Sequence, residues 1–419
     1  MIAEPAAAPT ANLLTCPRHG QVAEGEWRWA CPVCGSTLRV GPDLASVTVS
    51  ADTGRRPRGM FRFPELLPIN GEPRTGQHTG WTPLLRAGRL GAELGIGNLY
   101  LKLDCYNGPS YSYTDRVVAS AVQRAAELGA KAVACVSTGN VGNSVAALAA
   151  RAGKRAVVFC PASIEPAKNA MSLALGATVI QVDGTFDEVN AQCKRLTGGT
   201  DALFVNLDLR AYYAEGAKTV AFEIVEQLDW AQPDHVVAPA AGAILLTRMA
   251  YGFEEMAALG LTGQARVPRV HAAQAAGCAP IAAAYVAGER VPRPCVPDTI
   301  AHSIAIGNPG DGGAALDVLA RTGGTAQAVT DDEIVLGAQL LATSEGVFTE
   351  PAGGAAVAAT ARLAAQGRFG PQDTVVVVIS GSGLKTQTAE AVPTEHLVRV
   401  AVDDGAVSTA FHDAVHGRS

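Results

Sequence analysis

Apolar segments of strand length that alternate with helical patterns constrain the fold of this 419-residue chain more than any other feature. From about residue 97 onward these segments read NLYLKLD, AVACVS, RAVVFCPA, ATVIQVDG, LFVNLDL, HVVAPA, RVHAAQA and TVVVVISG. The stretches between them, such as residues 117–128, repeat apolar residues at helical spacing. Strands that are apolar on both faces and alternate with helices predict an α/β fold, in which helices cover both sides of parallel sheets.

The length predicts two domains and an appendage, because single hydrophobic cores rarely extend beyond about 300 residues. Changes in composition suggest where the chain divides. We predict a Cys/His-rich N-terminal module at 1–45, a wrapping arm at 46–96, a smaller α/β domain at 97–215 with its core at roughly 112–215, a larger α/β domain at 216–398 and a C-terminal tail at 399–419.

The composition excludes several classes of function. A net charge of −6 without any basic run argues against nucleic-acid binding. No uncharged apolar run approaches the roughly 18 residues that would span a membrane, and the N-terminus lacks the basic start and apolar core of a secretory signal. We therefore expect a soluble cytoplasmic enzyme with reduced cysteines.

Two short Cys/His pairs stand near the N-terminus: Cys16-x-x-His19 and Cys31-x-x-Cys34. Three thiolates and one imidazole can close a tetrahedral zinc site, which would be structural because no coordination position stays open. The alternative, a pair of knuckles without metal, has equal weight. In either case we expect this module to be peripheral to the chemistry.

Three glycine-containing turns are candidates for ligand binding, because parallel sheets bind ligands beyond the carboxyl ends of their strands. They are STGN (137–140), PAAGAI (239–244) and SGSG (380–383). The first turn offers backbone amides and the polar side chains of Ser137, Thr138 and Asn140, which suit a carboxylate. An ordinary helix cap is the alternative interpretation.

Longer motifs resemble those of the threonine synthases, within the fold-type II group of pyridoxal-phosphate (PLP) enzymes. The resemblance extends from about Cys16 to about Thr386, and its most specific stretch is YYAEGAKTVAFEIVEQLDW. Other matches are HTGWTPLLRAGRLG, STGNVGNSVAALAARAG, TIAHSIAIGNPGDG, EGVFTEPAGG and SGSGLKT. The resemblance implies two α/β domains of the tryptophan synthase β-like class, PLP as cofactor, an amino-acid-like substrate and a homodimer.

The segment before the Asp-Arg pair departs from the family pattern. Relatives read like NPTHSFKDR there, and their lysine forms a Schiff base with PLP and shuttles protons. This chain reads NGPSYSYTDR at 107–116, with Tyr113 for phenylalanine and Thr114 for lysine. A threonine hydroxyl cannot form an imine and is too weak a base at neutral pH. Lys102, Lys218 and Lys385 match lysines that relatives also carry, so none is an evident replacement.

The resemblance also assigns the remaining cofactor and substrate contacts. The phosphate-binding turn of relatives reads like PIASGSLL, and here it reads PAAGAILL with Ala241, Gly242, Ala243 and Ile244. An alanine with positive φ is strained, so we expect weaker phosphate binding, with a neutral variation as the alternative.

The other end of the cofactor site retains its polar groups. Ser380 and Asn140 correspond to residues that face the cofactor ring. The substrate side corresponds to Thr82, Ser137, Thr138, Gly139 and Asn140. Glu350 also matches the family, with a structural role as its alternative.

The changes around Thr114 and in the phosphate turn occur together, which favours natural divergence over a single engineered substitution. We predict a threonine synthase-like protein repurposed for lyase or substitution chemistry at the β- or γ-carbon of an amino acid, with PLP bound noncovalently. Its catalytic region would be Tyr111, Ser112, Tyr113 and Thr114, with Tyr111, Tyr113 or His78 as the base. The alternatives are a PLP-independent enzyme on the same scaffold and a noncatalytic ligand-binding paralogue.

Overall fold

The computed structural model describes residues 13–21, 30–49, 54, 56–164, 166–197, 202–263, 266–386, 399–400 and 408–410. They belong to two units, residues 1–386 and residues 387–419. Most of the predicted C-terminal tail at 399–419 lies outside the described residues, as do parts of the N-terminal module. All strands and helices named below belong to the first unit.

The described strands and helices follow the predicted alternation. The strands are β1 (Leu13–Cys16), β2 (Gly20–Gln21), β3 (Arg39–Gly41), β4 (Leu84–Arg86), β5 (Asn98–Leu103), β6 (Ala132–Val136), β7 (Arg155–Pro161), β8 (Thr178–Val182), β9 (Ala202–Phe204), β10 (His235–Pro239), β11 (Arg269–Ala275), β12 (Ala326–Val329) and β13 (Thr374–Ile379). The α-helices are α1 (Gly88–Leu94), α2 (Thr114–Glu127), α3 (Asn140–Arg151), α4 (Pro166–Ala174), α5 (Phe186–Cys193), α6 (Arg210–Glu215), α7 (Thr219–Gln227), α8 (Ile244–Ala258), α9 (Pro280–Ala287), α10 (Gly312–Thr322), α11 (Asp331–Glu345) and α12 (Pro351–Ala365).

The strands form three sheets. β1, β2 and β3 make a small antiparallel sheet in the order β2-β1-β3. A four-stranded parallel sheet has the order β8-β7-β6-β9, and a six-stranded sheet has the order β12-β11-β10-β13-β5-β4. Only β4 runs antiparallel within the larger sheet. The predicted fold class, two parallel α/β sheets with a Cys/His module, is confirmed.

One strand lies in a different sheet from the one its sequence position suggested. We grouped residues 97–103 with the smaller domain, but β5 pairs in parallel with β13, Leu99 opposite Val375 and Leu103 opposite Ile379. Leu99, Leu101 and Leu103 are buried. Either sheet could bury these side chains. A local apolar pattern therefore cannot specify which sheet receives the strand.

Alternation along the central strands divides the core of the larger sheet into two layers. Val376 and Val378 pack with Val236 on one face, while Val375 and Val377 pack with Val237 on the other. Because successive side chains point to opposite faces, an all-apolar strand serves both layers. Among the residues that the structure describes, no helix combines the length and apolar character needed to cross a membrane.

Candidate functional site

A cavity of about 420 Å³ lies where helices α2, α3 and α8 begin and where strands β6, β10 and β13 end. This is the position at which parallel sheets bind ligands. The predicted site residues on its wall are Tyr113, Thr114, Ser137, Thr138, Asn140, Ala241, Gly242, Ala243 and Ser380. Residues from separate motifs therefore meet around one cavity.

Thr114 joins a chain of buried hydroxyl groups. Its Oγ1 lies 2.8 Å from Oγ of Ser144, which lies 2.9 Å from Oγ of Ser110. The Ser110 hydroxyl in turn donates to Oδ1 of Asp115 over 2.7 Å, and its backbone N–H donates to Oδ2 over 2.8 Å. All four side chains are buried. A continuous hydrogen-bonded path thus runs from the cavity wall to a carboxyl group.

The carboxyl group at the end of this path is poised near neutrality. Burial raises the pKa of Asp115 to about 6, against the opposing effect of its hydrogen bonds from Ser110. Lys385 lies beside the path, and its Nζ donates to the carbonyl oxygen of Ser110 over 2.6 Å. Burial lowers the pKa of Lys385. Lys385 is not among the described residues that line the cavity.

Tyr113 is the one predicted base that lines the cavity among the described residues. Burial of its phenol, together with the nearby Glu350 carboxylate, raises its pKa to about 12. At neutral pH the hydroxyl is therefore protonated and can donate a hydrogen bond, but it is a poor proton acceptor. The other two candidates lie elsewhere: Tyr111 is 49% exposed and His78 is exposed, and neither lines the cavity.

Three further predicted site residues support the site from outside the cavity wall. Oγ of Ser112 accepts the N–H of Thr114 at 3.3 Å, beside the start of α2. The N–H of Gly139 donates to Oγ of Ser137 over 2.9 Å, and a Cβ at Gly139 would lie 2.4 Å from the Lys168 side chain. Ser112 and Gly139 thus lie in the turns that position the cavity wall. Their predicted roles at the site stay predictions.

Thr82, the third of them, belongs to a buried ion-pair network. Its hydroxyl donates to Asp104 over 2.6 Å, and Asp104 accepts the Nε of Arg116 at 2.7 Å. Glu223 accepts Arg116 Nη2 at 2.8 Å and Lys102 Nζ at 2.7 Å. Thr82 does not line the cavity, and its hydroxyl bonds to the network behind it. Its contact with a substrate stays a prediction.

The turn before α8 contains a residue with left-handed backbone geometry. Ala243 has a left-handed φ of 73° immediately before the helix begins at Ile244. This strain costs roughly 1 kcal/mol for a residue with a Cβ. The first N–H groups of a helix have no partner within it, and residues 241–245 all line the cavity. The substitutions in this turn thus leave an anion-binding helix start in place.

Asn140 and Glu350 provide a second polar cluster on the wall. The Nδ2 of Asn140 donates to both carboxylate oxygens of Glu350 at 3.0 Å, and the Ser303 hydroxyl donates to Oε1 at 3.1 Å. The buried Oδ1 of Asn140 has no hydrogen-bond partner among the residues that the structure describes. An unpartnered buried acceptor is costly, so this atom is a natural contact for a donor on a ligand.

Arg210 was not singled out from the sequence, although it lies two residues before the stretch YYAEGAKTVAFEIVEQLDW. It lines the cavity, donates from Nε to Oγ1 of Thr37 over 2.7 Å and lies 3.5 Å from Oδ2 of Asp311. Gly35 of the N-terminal module also lines the cavity. The module therefore adjoins the cavity directly after its second knuckle. That it is peripheral to the chemistry stays a prediction.

The four predicted metal ligands are close together. The ligand atoms of Cys16, His19, Cys31 and Cys34 all lie within 4.8 Å of one another. Such an approach of residues from two knuckles could be anticipated from their spacing, whereas their position beside the cavity could not.

Comparison with known proteins identifies the family. Residues 75–381 match the protein family described as "Pyridoxal-phosphate dependent enzyme". The threonine synthase of Methanocaldococcus jannaschii is 37% identical over 377 residues, which cover 88% of this chain and 92% of the relative. The chain belongs to the threonine synthase family. The Methanosarcina acetivorans threonine synthase is 36% identical over 360 residues, 85% of this chain and 88% of that relative.

Solved structures agree with this family at the level of the fold. Maize serine racemase has a TM-score of 0.63 at 20% identity, covering 82% of this chain and 95% of that protein. An L-serine ammonia-lyase from Rhizomucor miehei has a TM-score of 0.63 at 22% identity, covering 73% and 94%. This threonine synthase family member is thus a PLP-type enzyme scaffold with the fold-type II architecture.

Proposed function

We propose that this threonine synthase family member binds PLP noncovalently and catalyses elimination or substitution at the β- or γ-carbon of an amino acid. The observation that carries the proposal is Thr114 on the wall of a cavity whose other polar groups are retained. Thr114 takes the position of the family's lysine and cannot form the covalent bond to the cofactor. Threonine synthesis itself is disfavoured because several of its proton transfers depend on that lysine.

The residues of the cavity fit a noncovalently held cofactor. The helix start at 241–245 would hold the phosphate through backbone N–H groups. The unpartnered Oδ1 of Asn140 would accept a hydrogen bond from the ring hydroxyl, and the Ser380 hydroxyl would face the ring nitrogen. When bound, PLP withdraws electrons from the α-carbon of a substrate amine and so acidifies its proton.

The amino-acid end of the substrate fits the turn at 137–140. Ser137 and Thr138 line the cavity just before α3 begins at Asn140. A helix N-terminus favours a carboxylate there through its exposed amides and dipole. Arg210 supplies a positive charge on the same wall, where it would bind a second anionic group such as a leaving group.

The hydroxyl chain supplies the missing proton path. We assign Asp115 as the final proton acceptor, because a pKa of about 6 leaves it mostly ionised at pH 7 while still able to take a proton. Protons would pass from the cavity through Thr114, Ser144 and Ser110. Tyr113, protonated at neutral pH, would donate a hydrogen bond to the departing group.

An absorbance experiment tests cofactor binding. We expect the purified protein to take up added PLP, with a change between roughly 330 and 450 nm on addition of an amino acid. Borohydride should leave the cofactor removable from the chain. The Thr114→Lys variant should retain it covalently after borohydride, as judged by mass spectrometry of the intact protein.

The alternatives predict other outcomes. Failure of both the wild type and Thr114→Lys to bind PLP would contradict the proposal and support a PLP-independent enzyme or a noncatalytic ligand-binding paralogue. Binding without any proton exchange in amino acids would support the paralogue. We further propose a cytoplasmic homodimer, which fractionation of cells and light scattering of the purified protein would test.

A further inference from the structure

The Cys/His cluster of the N-terminal module has the dimensions of a metal site. Sγ of Cys16 lies 3.6 Å from Sγ of Cys34 and 3.6 Å from Nδ1 of His19. Sγ of Cys31 lies 3.6 Å from the same Nδ1. These sulfurs are far beyond the roughly 2.05 Å of a disulfide, so the thiols converge without bonding to one another.

The separations agree with a tetrahedron around zinc. With Zn–S near 2.3 Å and Zn–N near 2.05 Å, tetrahedral edges are about 3.8 Å between sulfurs and about 3.6 Å between sulfur and nitrogen. The backbone N–H of Arg18 donates to Sγ of Cys16 over 3.4 Å, a contact that stabilises a metal-bound thiolate. Cys16 and Cys31 are also buried.

The cluster is connected to the cavity through the residues that follow Cys34. Gly35 forms part of the cavity wall. The N–H of Thr37 donates to Oδ1 of Asp311 over 3.0 Å, and the hydroxyl of Thr37 accepts Nε of Arg210 at 2.7 Å. A metal ion that holds Cys34 in place would therefore also help to hold Thr37, the hydrogen-bond partner of Arg210.

We propose that Cys16, His19, Cys31 and Cys34 bind a structural Zn²⁺ and that the metal completes the cavity by holding residues 35–37 against Arg210. No position of the tetrahedron stays open, so the ion takes no part in chemistry. Its effect on the cavity is through the placement of one wall and of the arginine.

Metal analysis tests the first half of this proposal. Protein purified without chelator should contain about one zinc per chain, and Cys31→Ser should contain less than about 0.2. Cys295→Ser removes an exposed thiol outside the cluster and should retain the metal. Cobalt(II) in place of zinc should show the visible spectrum of a tetrahedral thiolate site. Equal zinc contents in the wild type and Cys31→Ser, or none in either, would overturn the site.

Hydrogen–deuterium exchange tests the second half without any cofactor or substrate. In Thr37→Val, which keeps all four ligands, zinc should remain while amides at the start of α6 exchange roughly tenfold faster. Cys31→Ser should show the same change, whereas amides of β13 should keep their wild-type rates. Unchanged exchange at α6 in both variants would refute the coupling. Because no PLP is present, that failure is distinct from a failure of the proposed function.

Discussion

At the scale of single residues, Thr114 is the end of a buried hydrogen-bonded chain that leads from the cavity wall to a carboxyl group. Its hydroxyl, those of Ser144 and Ser110, and the Asp115 carboxyl form one chain of short hydrogen bonds. A hydroxyl alone is a weak base, but in a relay it only has to accept one proton as it gives another. Under the proposed function, Asp115 therefore takes the basic role that the family resemblance assigns to a lysine at position 114.

Breaking the relay in its middle is expected to slow proton transfer without emptying the cavity. In Ser144→Ala, the exchange of amino-acid α-protons for deuterium should slow about 100-fold with PLP affinity unchanged. Nuclear magnetic resonance of a panel of amino acids with the enzyme and PLP measures this rate. The matched control is Ser172→Ala, which removes a buried hydroxyl bonded to Asn143. Equal rates in the two variants would argue against the relay.

The same exchange should depend on pH through Asp115. Its raised pKa of about 6 means that the carboxyl is protonated below that pH and cannot accept a proton. We expect the rate to fall about tenfold per pH unit below 6. Asp115→Asn should lose this acidic limb together with most of the rate. A wild-type profile that is flat between pH 5 and pH 7 would exclude Asp115 as the acceptor.

At the scale of elements, the cavity depends on close contacts between helices. Gly216 follows α6 at its crossing with α2, where an added Cβ would lie 2.4 Å from the carbonyl oxygen of Arg116. Gly242 lies in the turn before α8, where a Cβ would meet nothing within 4 Å. Gly242 should thus tolerate a side chain and Gly216 should not, because only Gly216 faces the backbone of another helix.

Alanine substitutions should separate these two positions. Gly216→Ala should lower the free energy of unfolding by about 3 kcal/mol, because the α6–α2 backbone contact must open. Gly242→Ala should change it by less than about 1 kcal/mol. Urea unfolding followed by circular dichroism measures both. If Gly216→Ala had the same free energy of unfolding as the wild type, α6 and α2 would be able to move apart with little loss of stability.

At the scale of the whole molecule, one buried network ties together segments far apart in the sequence. Asp104, Arg116, Glu223 and Lys102 come from the end of β5, from α2 and from α7, and Glu223 also accepts the N–H groups of Trp81 and Thr82 from the arm. Burial alone would raise the pKa of Glu223, but Arg116 and Lys102 hold it at about 2. Glu223 is thus ionised around neutral pH.

Removing this carboxylate should destabilise the molecule strongly. Glu223→Gln removes the carboxylate that Arg116 and Lys102 share, although Arg116 keeps its pair with Asp104. We expect a loss of about 4 kcal/mol at pH 7. The contribution of Glu223 is present above its unfolded pKa near 4.5 and is lost as pH falls toward 2. The difference in unfolding free energy between wild type and variant should therefore shrink below pH 4.5.

The control variant is Glu254→Gln, at a partly exposed pair with Arg321, which should lower the free energy of unfolding by less than about 1 kcal/mol. If both variants lost a similar free energy of unfolding, the buried network would contribute no more than an exposed ion pair.

The sequence by itself determined the fold class and the three turns that line the cavity. Apolar strands alternating with helices leave few ways to bury both sheet faces, and parallel strands necessarily bring their carboxyl ends to one edge. That geometry marks the turns within each sheet. It is the resemblance to the threonine synthases that implies one site for Thr114, Asn140, Ala243 and Ser380. The Cys/His pairs likewise could be expected to converge, since their spacing suits a tetrahedron.

The partners of the polar groups around the cavity became evident only from the packing of the chain. The sheet that β5 joins, the hydroxyl path from Thr114 through Ser144, the diversion of Thr82 into an ion-pair network and the contact of Thr37 with Arg210 all join residues distant in sequence. Local patterns fix which side chains are buried, but not which buried polar groups become partners. That pairing depends on how helices and sheets pack, because each buried donor must find an acceptor within about 3 Å.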